Sequence, residues 1–335
     1  MGKIRVFAFS AFFVSVAAIS FALFGPKIFA VGNEIQVLGP TNTVGDTDDQ
    51  RGFGWTPQRK IPEDSSGNLY VTARKRSKCS GTTAYETFVF KSTDGGTSWS
   101  EAPSGGGPIA CLKGHHQRVA SIAIDSQDRI HVVWYGSEDT TSKPNHRQVL
   151  YSKSTDGGRT WTRYQNISKT GTDTNEHPVL SVGPNDELYV TWDGIRFTRS
   201  LDHGNTWDKW SYFGSDGGSS RTGSVVLSNG DIWTVGTGIN IARSTDQGKT
   251  WMDQGKISQP DYDARHASIM RDAKDNIHVV WRGARKDTNE KPQIWYSMFD
   301  GFSWSQPETV SKDSSAYQFY PTITRDANDN LYIPL

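Results

Sequence analysis

Arg59, Arg118, Glu176, His177, Arg221, Arg265, His266 and Tyr320 lie far apart in the chain, yet each falls at the same point of a repeated unit. That point is the start of the unit's first strand. If the units surround a common axis, these side chains meet in one ring. Charged groups gathered in this way need a partner, either one another or a ligand. A plainer alternative stands beside each. A single Arg is solvated or salt-bridged at a funnel mouth, Glu176 bridges to a neighbouring Arg, and His177 and His266 are polar lining. No H-x-H or H-E-x-x-H spacing marks a metal site, and no cofactor is expected.

Two elements define the unit. The first is S-x-D-x-G-x-T-W, found at Ser92–Trp99, Ser154–Trp161, Ser200–Trp207 and Ser244–Trp251, with a shorter fifth copy at Ser297–Trp304. Successive Asp residues (Asp94, Asp156, Asp202, Asp246 and Asp300) are 62, 46, 44 and 54 residues apart, a period that signals one small sheet per repeat. The carboxylate can accept backbone N–H bonds while the Gly takes positive φ, which suits a tight turn. Recurrence makes this Asp structural rather than catalytic. The Trp starts the next strand and is expected to fold back over the turn.

The second element is a polar turn followed by an aromatic or β-branched strand. Its six copies begin at Asp64, Asp125, Gly183, Leu227, Asp272 and Asp326. A short strand precedes each, as at Val119–Ile124 and His266–Arg271. Inner strands such as Ala120–Ile124 and Val179–Val182 are expected to be apolar. Four strands in each of six units describe an all-β fold, a six-bladed β-propeller over residues 55–335. A solenoid is the other option, but it would not call for a hairpin turn in every repeat. The sixth unit reaches Leu335 directly after its second strand. Residues 31–54 read as linker, in which the strand Glu34–Leu38 is expected to help close the ring.

Lys+Arg and Asp+Glu are equal in number, 36 each, so no net field recruits nucleic acid or an anionic membrane. Lys3 and Arg5 precede an uncharged run from Val6 to Gly25, followed by Pro26, Lys27 and Ala30. That is the layout of an export signal over residues 1–30, cleaved after Ala30, or of a retained membrane anchor. Either places the remainder outside the cytoplasm, extracellular or on the cell surface. Cys79 and Cys111 fit that compartment as a disulfide, with two free thiols as the alternative. Arg74-Lys75-Arg76 reads as a solvated loop, and Asn166-Ile167-Ser168 has the form of a glycosylation acceptor.

The repeated turns resemble the Asp-box (BNR) repeats of the sialidase superfamily, and the six-unit count agrees. The resemblance covers nearly the whole chain beyond the leader. It implies an exo-α-sialidase type of glycoside hydrolase acting on a glycan or sialoglycoconjugate. In that family three Arg hold the substrate carboxylate, a Tyr activated by a Glu is the nucleophile, and an Asp is the acid/base. Guanidinium forks grip a carboxylate bidentately, and a phenol nucleophile keeps a second negative charge away from it. The resemblance thus assigns substrate binding to Arg59, Arg118, Arg221 and Arg265, with His177 and His266 beside them. It assigns the nucleophile pair to Glu176 and Tyr320 (or Tyr317). The family's Arg-Ile-Pro element reads Arg59-Lys60-Ile61-Pro62 here. Where the family Asp is expected, Thr72–Lys91 contains no Asp, and Glu86 is its only carboxylate. Asp-box propellers also include non-catalytic extracellular proteins that bind glycan or protein, which is the alternative function.

Overall fold

The structure is a computed structural model. It describes residues 61–79, 81, 83–102, 107–112, 117–138, 146–169, 175–214, 221–311, 320–326 and 329–334, together with the backbone of Ile4–Phe7, Ile28–Val31 and Glu34–Val37. The repeats fold as antiparallel meanders. Gln117–Ile124, Ile130–Gly136, Gln148–Ser154 and Gln165–Asn166 pair in sequence order as one four-stranded sheet. The next three sheets repeat this order, starting at Val179–Val182, Gly223–Val226 and Tyr262–Arg271. Before them Leu69–Ser77, Ala84–Ser92 and Ser100–Ala102 form a three-stranded sheet, and after them comes the pair Thr324–Arg325 and Leu331–Pro334. Among the described residues, six sheets therefore carry the repeat. The fold is an all-β propeller.

Burial follows from this stacking. Strand side chains alternate between two faces, and each face packs against the next sheet rather than into a single central core. One layer joins Tyr70 and Val89 of the first sheet to Ile122, Val132 and Trp134 of the second. Further layers join the second sheet to the third through Val133, Val149, Leu188 and Trp192, and the fourth to the fifth through Trp233, Ile241, Val279 and Trp281. The inner strands are less apolar than the sequence suggests. Ser121 Oγ accepts from the Leu180 amide at 3.2 Å, and Ser181 Oγ donates to the Ser224 carbonyl at 2.9 Å. Small hydroxyls thus tie neighbouring inner strands where bulky side chains would hold them apart.

The turns between first and second strands make a second tie. Asp128, Asp186, Asp275 and Asp329 all have positive φ, between 58° and 63°. Each accepts a backbone N–H from the preceding sheet, from Ser65 (2.8 Å), Ser126 (2.9 Å), Ser228 (3.1 Å) and Ala273 (3.2 Å) respectively. At the junction of the third and fourth sheets the donor position is Pro184, which has no N–H, and the acceptor position is Gly230. There Arg199 Nη1 reaches the Gln247 carbonyl instead, at 2.6 Å.

The S-x-D-x-G-x-T-W turns are locks of the expected kind. Asp202 Oδ1 accepts from the Thr206 amide at 2.8 Å, its Oδ2 accepts from the Thr206 hydroxyl at 2.6 Å, and Ser200 Oγ accepts from the Gly204 amide at 2.8 Å. The Trp rings, however, do not all close over their own turn. Trp207 packs on Tyr151 of the preceding sheet at 4.9 Å, and Trp251 packs on Phe197 at 5.1 Å. Gly204, at φ +79°, sits where a Cβ would come within 1.9 Å of the Tyr151 hydroxyl. That Gly is required both by its backbone angle and by the neighbouring ring.

These locks set an acid limit. The Thr250 hydroxyl and then its amide hold the Asp246 carboxyl down at about 2. At Asp156 and Asp202 slight burial acts in the opposite sense, but the same donors prevail and also leave the carboxyl at about 2. A carboxylate whose pKa is lowered on folding contributes stability above its unfolded value near 4, and that contribution fades as pH falls toward 2. We expect thermal melts to lose stability through this window, with Asp202→Asn showing a smaller loss than the parent. Equal losses in the two proteins would rule out this role for Asp202.

One expectation is corrected. Arg74, Lys75 and Arg76 belong to the strand Leu69–Ser77 rather than to a loop; Lys75 pairs with Glu101 at 2.5 Å, and Arg74 covers the Tyr85 ring at 4.2 Å. Glu34–Val37 pairs with Ile28–Val31 in a separate hairpin, and Ile4–Phe7 runs parallel to Leu331–Pro334. Asn166 donates to Glu138 at 2.5 Å and Ser168 is fully buried, so the acceptor triplet is already engaged by the fold. Cys79 and Cys111 form a disulfide. No helix among the described residues is long and apolar enough to cross a membrane.

Candidate functional site

Two repeated devices place side chains at the propeller mouth. One is the backbone around the start of the inner strand. His177 and Tyr320 lie ahead of Val179–Val182 and Thr324–Arg325, and His266 lies at the irregularity within Tyr262–Arg271, with φ of 52°, 52° and 57° respectively. Positive φ is costly for such residues, and its return at matched positions shows that the turn aims these rings in a common way. The other device is the latter part of the second strand. Trp192 ends the strand Leu188–Trp192, while Trp134 and Trp281 lie within Ile130–Gly136 and Ile277–Arg285, and all three are fully buried. The next residues, Tyr135, Asp193 and Arg282, emerge beside the same rings.

The Trp side chains also hold the mouth in register. Trp134 Nε1 donates to Gln117 Oε1, and Trp192 Nε1 donates to Asn175 Oδ1, both at 2.8 Å. Gln117 immediately precedes Arg118, and Asn175 immediately precedes Glu176. Packing in the second strand is thereby transmitted to the site residues.

The mouth contains two adjoining groups. In the first, His177 Nδ1 lies 2.7 Å from Asp193 Oδ2, Tyr135 packs edge-on against His177 at 5.3 Å, and Arg147 pairs with Glu176. Arg118 is half-buried and stands opposite Tyr135 in the sheet register. In the second group, the Arg221 guanidinium lies over the Tyr320 ring at 4.8 Å, and the ring of His266 is 4.7 Å from that of Tyr320. Arg265 is more exposed and bonds to Asp263 at 2.7 Å. His177, Asp193, Arg221, Arg265 and His266 all line one cavity of about 500 Å³, with Lys256 and Lys286 toward its edge.

The field in this cavity is positive. Burial, followed by the charges of Arg221, Arg282, Arg265 and His177, drives His266 down to about 3. Its ring is therefore neutral at physiological pH, and its Nδ1 has no hydrogen-bond partner among the described residues. Burial also lowers the pKa of Arg282, with Asp263 opposing. Such a site favours an anion: guanidinium groups partly removed from water attract a carboxylate more strongly than solvated ones do.

The residues expected from sequence divide accordingly. The structure gathers His177, Arg221, Arg265, His266 and Tyr320 at the mouth, and Glu176 beside them. It does not bring Glu176 onto Tyr320 as a nucleophile pair; Glu176 is engaged by Arg147, while Tyr320 faces Arg221 and His266. Glu86 is fully buried in the strand Ala84–Ser92, where its Oε1 accepts from the Leu112 amide at 3.3 Å, and it does not line the cavity. Arg59 lies outside the described residues, as do Tyr317 and Lys60. Sequence reasoning missed Tyr135, Asp193 and Arg282, although each directly follows a buried Trp of the second strand.

Glu176, His177 and Asp193 bring ligand atoms within 4.8 Å of one another, as do Asp125, Asp186 and His203. Cations already occupy both groups: Arg147 holds Glu176, and Arg129 bridges Asp125 and Asp186.

No family model matches this chain, and no curated protein matches it. Solved structures do. The NanB sialidase of Streptococcus pneumoniae (K499G mutant) aligns with a TM-score of 0.54 at 14% identity, over 81% of this chain and 63% of that one. The intramolecular trans-sialidase of Ruminococcus gnavus, in complex with oseltamivir carboxylate, aligns at 0.53 with 12% identity, over 85% and 90%. An α-L-arabinanase of Penicillium chrysogenum, complexed with arabinobiose, aligns at 0.51 with 14% identity, over 79% and 81%. The chain spans less than two thirds of the length of NanB. At these identities the likeness establishes a sialidase-like propeller fold.

Proposed function

We propose that this chain is an exported glycan-recognising propeller whose central cavity takes the carboxylate of a terminal acidic sugar. The observation that carries this reading is the placement of Arg221, Arg265 and Arg282 around the neutral His266 and Tyr320. Arg221 and Arg265 supply the charge-assisted bonds, and His266 Nδ1 is positioned to bond a ligand oxygen without adding charge. The structural neighbours support the ligand class, since one is a sialidase and another a trans-sialidase in complex with oseltamivir carboxylate.

A second reading, exo-α-sialidase-type hydrolysis, is favoured by Tyr320. A phenol beside an Arg-bound carboxylate could attack the anomeric carbon, losing its proton to solvent and forming the tyrosyl–sugar bond as the glycosidic bond breaks. Asp193, on the same cavity, is then the proton donor to the departing oxygen, the role for which Glu86 is unsuited by its burial. Water would afterwards release the sugar. Against turnover stands the engagement by Arg147 of Glu176, the residue to which the family pattern assigns the base.

A fluorogenic α-ketoside of sialic acid separates the two readings. The binding reading expects saturable binding with no release of fluorophore. The hydrolytic reading expects release that Tyr320→Phe and Asp193→Asn each abolish. Absence of both binding and release, in a folded protein, would remove acidic-sugar recognition altogether.

A further inference from the structure

A second cavity, of about 440 Å³, lies between the third and fourth sheets, lined by Tyr212, Phe213, Asn240, Lys249, Trp251 and Asp253 among others. It meets the central cavity at Thr237, which lines both. The short turn Thr237–Ile239 forms the divide, and Gly238 within it has φ +65°. The two chambers differ in chemistry. The central one is cationic, with Arg221, Arg265, Lys256 and Lys286. The lateral one has aromatic walls, with Phe213 and Trp251 in ring contact at 5.7 Å, and a balanced rim of Lys249 and Asp253. Tyr212 stands at its edge, 53% exposed.

We infer that the lateral cavity is the binding site for the neutral sugar units that follow the terminal acidic sugar of the same glycan. The inference rests on the acidic-sugar reading of the central cavity. Its own support is that Thr237 forms a wall of both chambers and that the lining changes from charged to aromatic across that residue. A pyranose presents an apolar C–H face and a polar edge. Tyr212 and Trp251 offer surfaces for the face, while Asn240, Lys249 and Asp253 offer donors and acceptors for the hydroxyls. A neutral sugar suits the lateral chamber better than a second acidic one, because its rim carries no excess positive charge. The occupant is thus an oligosaccharide with one acidic end rather than a polyanion.

The test compares free sialic acid with a sialic-acid-terminated trisaccharide on the full chain, by titration of the parent, Tyr212→Ala and Lys249→Ala. Tyr212 lies on a short exposed outer strand, so its loss leaves the sheet layers intact; melting curves verify this. The parent is expected to bind the trisaccharide about tenfold more tightly than the monosaccharide, and Tyr212→Ala is expected to bring that ratio close to one. Equal affinities in the parent, or a ratio unchanged in both variants, would overturn the inference while leaving the central cavity's role intact. Binding of neither sugar by the parent would overturn both.

Discussion

Arg221→Ala is expected to weaken binding of a monocarboxylate sugar by about 30- to 1000-fold, equivalent to roughly 2–4 kcal/mol. Arg221 sits at the start of its repeat's first strand, over the Tyr320 ring at 4.8 Å, and lines the central cavity. The size of the effect follows from desolvation. A carboxylate entering the cavity loses water, and the guanidinium fork restores two charge-assisted bonds at once. Arg221→Lys is expected to recover only part of the loss, because a point charge cannot reproduce the fork. Arg265, more exposed and already bonded to Asp263, is expected to matter less. Similar losses at Arg221 and Arg265 would indicate a general electrostatic effect rather than a placed contact.

Trp192→Ala is expected to be the most damaging single change outside the cavity. The side chain is fully buried in the layer between the second and third sheets. Emptying that volume costs about 3–5 kcal/mol, and removing the indole donor from the buried Asn175 adds roughly 1 kcal/mol or more. For a chain of this size the melting temperature should fall by about 6–9 °C. Trp192→Phe offers an instructive contrast. It restores most of the volume but not the bond to Asn175, so stability should largely recover while acidic-sugar binding stays impaired, because Asn175 leads directly into Glu176 and His177. Full recovery of binding in the Phe variant would show that the Asn175 contact does not position the site.

The repeats were legible because turn chemistry is local. An Asp flanked by Ser and Thr two and four residues away makes the same bonds wherever it occurs, so its recurrence marked four of the sheets. Overlaying the second strands also fixes roughly where each inner strand starts, and the structure places His177, His266 and Tyr320 near those points. Asp193 and Arg282 were overlooked because the overlay examined only one end of the hairpin. Their neighbour Trp was visible in both cases. Glu86 illustrates a different limit. Its position in the chain suited a catalytic acid, but whether a strand residue faces the mouth or the neighbouring layer depends on pairing register, and a shift of one residue reverses the face. That Glu176 bridges to an Arg was the plainer alternative in the sequence, but not that the partner is Arg147, which lies just ahead of the third strand of the preceding sheet.

The central claim is that the cavity recognises a carboxylate on a sugar. The most direct measurement is a calorimetric titration of the parent protein with an acidic monosaccharide and with its methyl ester, at two salt concentrations. The ester keeps the ring and hydroxyls but removes the charge. The account predicts binding of the acid that weakens with added salt and a loss of at least about tenfold with the ester, near 1.4 kcal/mol or more. Equal affinity for acid and ester, or binding of the ester alone, would contradict it.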